Sequence, residues 1–169
     1  MKPEEVIQHT KNWIQDVVIG CNFCPFASKV FLGTKLRYVV VPEATSDTAL
    51  EALMQEFKHL DTHKETETTL LIFPGAYKKF FDFLDLIEEA EDLLEDEDYE
   101  GEYQVAHFHP EYIFGGVEPD DASNYTNRSP YPMLHILRED SVTKVVQAFP
   151  QAKLVPKHNI KFAREKGVG

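Results

Sequence analysis

The chain has 169 residues, enough for one compact domain and too few for two ordinary ones. Lys and Arg total 17 against 29 Asp and Glu, a net charge of −12, which argues against a nucleic acid held by phosphate neutralisation and against an anionic membrane surface. Hydrophobic residues at 43% and aromatics at 12% exclude a disordered chain.

The first expected element is a helix from Pro3 to Ile19, with Val6, Thr10, Trp13, Ile14, Val17 and Val18 on one stripe. Its start, MKPEEVIQHTKNW, has acids where a secretion signal needs a basic segment, and no apolar run approaches the roughly 18 residues that span a membrane. These features, with only two cysteines, predict a cytoplasmic protein with reduced thiols. Pro25 then opens a short helix ending near Gly33, which puts Cys24 at its N-cap.

LRYVVV at 36–41 reads as a buried strand closed by Pro42. Ser46 or Asp47 caps a helix with Leu50, Leu53, Met54, Phe57 and Leu60 on one face. TTLLIF at 68–73 is a second strand, closed by Pro74. A helix follows from Tyr77 to about Glu95, with Phe80, Phe83, Leu84, Ile87 and Leu94 turned inward. EYQVAHFH at 102–109 is a third strand, closed by Pro110. A polar connection of about 20 residues leads to PMLHILR at 132–138, read as a fourth strand; loops that long in compact domains are commonly functional. Asp140 or Ser141 caps a last helix through Phe149. Residues 151–169 form a basic tail or surface helix with Lys153, Lys157, Lys161, Arg164 and Lys166.

Helix-length connections between strands predict an α/β (or α+β) single domain over residues 1–169, with a mainly parallel sheet of about four strands covered by helices. The three proline-closed strand ends would then share one edge, where open α/β sheets bind ligands.

The acidity is local. Asp82 to Glu102 holds 12 carboxylates and no Lys or Arg, and the other 17 acids (29 less these 12) balance the 17 bases. A solvated helix face explains this; a docking surface for a basic protein partner is the sharper alternative.

Candidate chemistry falls in three places. A thiol at a helix N-cap, as expected of Cys24, meets unpaired N–H groups and the positive pole of the helix, which favour thiolate. The alternatives are a buried apolar cysteine or a metal ligand, and Cys21-x-x-Cys24 has redox or zinc spacing. His107 and His109 lie two apart on a strand and share one face. They suit a divalent metal or acid–base work, with a hydrogen-bonded core histidine as the plainer alternative. Arg128 sits in TNRSPYP between Asn127 and Ser129, where Pro130 and Pro132 stiffen the chain, and is a candidate fork for a carboxylate or phosphate. No P-loop, GxGxxG or GxSxG pattern occurs.

The stretches CNFCPFA, HFHPEYIFGG and NYTNRSPYPMLHILRE resemble an uncharacterised bacterial family, domain of unknown function 1415, from about Trp13 to Arg138. The resemblance implies a bacterial, cytoplasmic, single-domain protein and supplies no activity, cofactor or catalytic residue. The residues alone therefore carry the functional expectation. It is a small-molecule enzyme acting on an anionic substrate, with Cys24 as nucleophile, His107 or His109 as base, and Arg128, Asn127 and Ser129 holding the substrate. The alternatives are a metal-binding protein using His107 and His109, and a non-enzymatic interaction protein using the acidic helix.

Overall fold

A computed structural model of the chain describes residues 2–19 and 35–148. Both cysteines, the helix expected at Pro25–Gly33 and the basic segment 151–169 lie outside the described residues.

Helix α1 (Pro3–Trp13) places Pro3 in its first turn, Glu4 and Glu5 at its positive pole and Lys11 near its negative one. The helical path continues as expected to Ile19, but residues Ile14–Ile19 take the wider π-helical turn. The four expected strands form as β1 (Leu36–Val40), β2 (Thr68–Ile72), β3 (Tyr103–Phe108) and β4 (Met133–Arg138). Between and after them lie α2 (Ser46–Thr62), α3 (Phe80–Asp96) and α4 (Glu139–Ala148).

Three helix starts differ from expectation. Thr45, not Ser46 or Asp47, caps α2, because it and Thr48 form a reciprocal box: each hydroxyl accepts from the other's backbone N–H, at 3.3 and 2.8 Å. Helix α3 starts at Phe80 rather than Tyr77, because Tyr77 is left-handed at φ 54° and breaks the helical path. Helix α4 follows β4 without a loop, so Asp140 and Ser141 lie in its first turn.

The sheet is mixed, not mainly parallel. Its order is β1-β2-β4-β3, with β1 parallel to β2 and β4 antiparallel to both neighbours. Helical crossovers connect β1 to β2 and β2 to β3, so these three strands run one way. The β3–β4 connection has no crossover helix. It turns back at the edge it left, and β4 enters the gap between β2 and β3 in the opposite sense. The ends of β1, β2 and β3 therefore still share an edge with the start of β4, where Ile72 and Phe108 both pair with Met133.

Alternate residues of the central strands face opposite layers. Leu71, Phe73, Leu134 and Ile136 pack with Leu53, Phe57, Phe83 and Leu86 of α2 and α3. Leu70, Ile72 and Met133 pack with Val6 and Ile14 on the α1 side. Leu84, expected inward on α3, is exposed, and Leu86 and Ala90 take the inner face instead. A partly buried ion pair ties β1 to α2: Arg37 Nε donates to Glu56 Oε1 at 2.8 Å, and Thr69 of β2 donates to the same oxygen at 3.2 Å.

The proline edge is tightly closed. The Phe73 N–H donates to the Pro132 carbonyl at 2.9 Å. A Cβ at Gly75 would sit 2.2 Å from the Pro42 carbonyl oxygen, a backbone atom that cannot turn aside. Gly75→Ala is expected to cost about 2 kcal/mol or more in urea unfolding. Gly115→Ala, whose Cβ meets nothing within 4 Å, should stay within about 0.5 kcal/mol of the parent. Equal effects would mean that the edge is not close-packed.

Candidate functional site

The candidate site lies at this edge, where His109 follows β3. Its ring is fully buried against Phe80 and Phe83, with centroids 5.4 and 5.3 Å away. Nε2 donates to the Tyr77 carbonyl at 2.6 Å. Nδ1 accepts from the Glu111 N–H at 2.9 Å. A carbonyl only accepts and an N–H only donates, so the ring is the neutral Nε2–H tautomer. Burial holds its pKa below the usual histidine value, opposed by the Tyr77 carbonyl and the Glu111 charge. Both nitrogens serve the fold, so binding a metal or taking a proton requires a backbone bond to break.

His107 shares this face of the sheet, as the spacing predicts: both rings approach Phe83. Its Nε2 and the Tyr112 hydroxyl share a hydrogen bond at 3.3 Å, while its Nδ1 is buried and has no partner among the described residues. Burial lowers its pKa as well. Among the described residues no three His, Cys, Asp or Glu side chains gather around a metal-sized space. His135 pairs with Ala106 and so faces the α1 side, away from His107.

The long loop is folded on its own polar groups. Buried Asn124 donates to the Glu118 carbonyl at 2.9 Å and accepts from the Phe114 N–H at 2.9 Å. Asn127 donates through Nδ2 to the His107 carbonyl at 3.2 Å, and its own carbonyl receives the His109 N–H at 3.2 Å. The Ser129 hydroxyl donates to the Tyr131 carbonyl. Asn127 and Ser129, expected to touch a substrate, thus bond to backbone carbonyls, Asn127 to that of His107 in β3 and Ser129 to that of Tyr131.

Arg128 has both structural and open character. Nε donates to the Tyr112 carbonyl at 3.1 Å and Nη2 to the Pro119 carbonyl at 2.8 Å, with the guanidinium 4.7 Å from the Tyr125 ring centre. The same residue lines a cleft of about 370 Å³. Lys79 enters this cleft from the start of α3, and Glu111 from the loop. Phe80, Phe81, Pro110, Ile113 and Pro119 supply the apolar wall. The site therefore joins Arg128 directly, with His109 behind its wall and His107 reached through Tyr112. Cys24 lies outside the described residues. Sequence reading missed Lys79, because it was placed inside a helix that in fact begins one residue later.

Three histidines, His109 fully buried and His107 and His135 partly so, predict an acid-sensitive fold. His107 and His109 are shifted down, and His135 is pushed down to about 4, each by desolvation. Below the unfolded pKa of about 6.5 the unfolded chain takes up protons that the native chain refuses. Stability should be full above that value and fall as pH drops from about 6.5 towards 4, His135 alone accounting for up to about 3 kcal/mol. Urea unfolding at a series of pH values checks this, and His135→Phe should flatten the slope. A slope unchanged in that variant would contradict the assignment.

No curated protein and no solved structure matches the chain. The family described as "Protein of unknown function (DUF1415)" matches residues 5–169, nearly the whole sequence, so the chain belongs to that family.

Proposed function

We propose that the protein is a small-molecule enzyme whose anionic substrate is held in the cleft by Arg128 and Lys79. The observation that carries this reading is the meeting of two cations from separate elements in one cleft of about 370 Å³ with a mostly apolar wall. Lys79 is also the N-cap of the 17-residue α3, and its side chain makes no capping hydrogen bond there. First-turn N–H groups and the helix dipole thus add to the attraction for an anion. The apolar wall favours a substrate with a hydrophobic body beside its carboxylate or phosphate. Cys24 is the proposed nucleophile. His107 is the better candidate base, since among the described residues its Nδ1 has no partner, whereas both nitrogens of His109 are bonded.

The interaction reading has one observation in its favour. Phe81, 72% exposed, and Leu84 share the outer stripe of α3 with Asp85, Glu88, Asp92 and Glu95. A basic partner with an apolar anchor would suit that face.

One set of measurements separates the two. Inorganic phosphate should raise the melting temperature and protect Cys24 from iodoacetamide, with Cys24 reacting faster than Cys21. Lys79→Ala, which removes no side-chain hydrogen bond among the described residues, should weaken phosphate binding roughly tenfold, the worth of one charge-assisted hydrogen bond. Indifference to phosphate, with Lys79→Ala silent, overturns the cleft reading and leaves the acidic face as the working surface.

A further inference from the structure

We propose that His59 and His63 form a two-point binding site for a borderline divalent transition metal ion, at the sheet edge opposite the cleft. The two histidines are four residues apart at the C-terminal end of α2, a spacing that brings side chains together on one helix face. Their rings stack 3.9 Å apart and within 5° of parallel. Two nitrogen ligands bound at 2.0–2.1 Å in a tetrahedral shell lie about 3.3 Å apart. The stacked rings must splay apart about their broad χ2 torsions before both lone pairs point at a shared ion, and the close stacking shows that the two side chains are already within reach of one.

The tautomer of His63 is already set for this role. Its Nδ1 lies 3.0 Å from the His59 carbonyl, which can only accept. Nδ1 therefore carries the proton, and the lone pair is on the outward Nε2. A backbone carbonyl holding the non-ligating nitrogen is the usual support of a metal-bound histidine. The Thr62 hydroxyl contacts the same Nδ1 at 2.9 Å. The helix end is itself fixed: Arg138 Nη2 donates to the Leu60 carbonyl at 2.9 Å and to the His63 carbonyl at 3.2 Å.

His63 is exposed and His59 half-buried, so an ion can reach the pair from solvent. Arg37 opposes a cation at His59, while Glu56 and Glu65 favour one. No third His, Cys, Asp or Glu joins the pair among the described residues. The rest of the shell is left to water or to an incoming ligand. Paired imidazoles without a carboxylate select ions of the Ni²⁺, Cu²⁺ and Zn²⁺ type over Mg²⁺ or Ca²⁺.

The test uses the full chain and Ni²⁺. Calorimetric titration should show a binding step that weakens tenfold or more in His59→Gln and again in His63→Gln, with Mg²⁺ giving none. Substoichiometric Ni²⁺ should broaden the amide resonances around residues 59–63 before any others, a readout that binding at the cysteines would not reproduce. Equal affinity in the parent and both variants, no Ni²⁺ binding at all, or broadening that begins elsewhere overturns the proposal.

Discussion

The two hydrogen bonds of the buried His109 ring join three segments that are distant in sequence: the end of β3, the turn at Tyr77 and the start of the long loop at Glu111. The bond to Tyr77 also holds a strained residue in place: a bulky side chain at φ 54° costs about 1 kcal/mol or more, and the imidazole binds the carbonyl that this conformation presents. Lys79 follows Tyr77 by two residues, and Pro110 and Glu111 follow His109 directly. Both walls of the cleft are therefore set by this one ring. The same geometry requires a neutral imidazole, because a proton on Nδ1 would face the Glu111 N–H. Fold stability and cleft shape are thus coupled through one tautomer.

The loop that completes the cleft is long but not loose. Asn124 and Ser129 bond to its backbone, Asn127 ties it to the His107 carbonyl of β3, and Arg128 bridges Tyr112 to Pro119. Arg128 spends Nε and one Nη2 contact on this bridge. A guanidinium has five N–H donors in a rigid fork, so the bridge fixes its orientation while leaving capacity for a ligand. A lysine at this position would keep the charge and lose the fork.

Much of the fold was legible in short patterns. Short apolar runs, three of them closed by a proline and the fourth opened by one, located the four strands, and the spacing of Leu53, Phe57 and Leu60 located the buried face of α2. The sense of β4 was not legible, because it depends on a connection that returns without a helix, and no local pattern encodes that return. The site was legible by residue type only. The stiffened loop around Arg128 pointed to a cation held in place, but its carbonyl partners lie 9 and 16 residues away. His107 and His109 looked equivalent as a pair. They differ because a carbonyl 32 residues from His109 occupies its Nε2. Thr45 displaced the expected caps through a threonine–threonine box, a weaker signal than the usual pairing with Glu or Gln.

Charge is sharply divided over α3. Its outer stripe and the following turn carry the carboxylates responsible for the net charge, and its N-terminal end borders the two cations of the cleft. In the proposed reading, an anion is repelled along the acidic face and attracted near Lys79 and Arg128, beside which Glu111 is the opposing charge of the cleft. The most direct test of this account is a crystal structure with tungstate, whose electron density marks an anion without ambiguity. The account predicts tungstate between the Lys79 ammonium and the Arg128 guanidinium, with the His109–Tyr77 bond intact. Tungstate bound elsewhere, with the cleft holding only water, would contradict it.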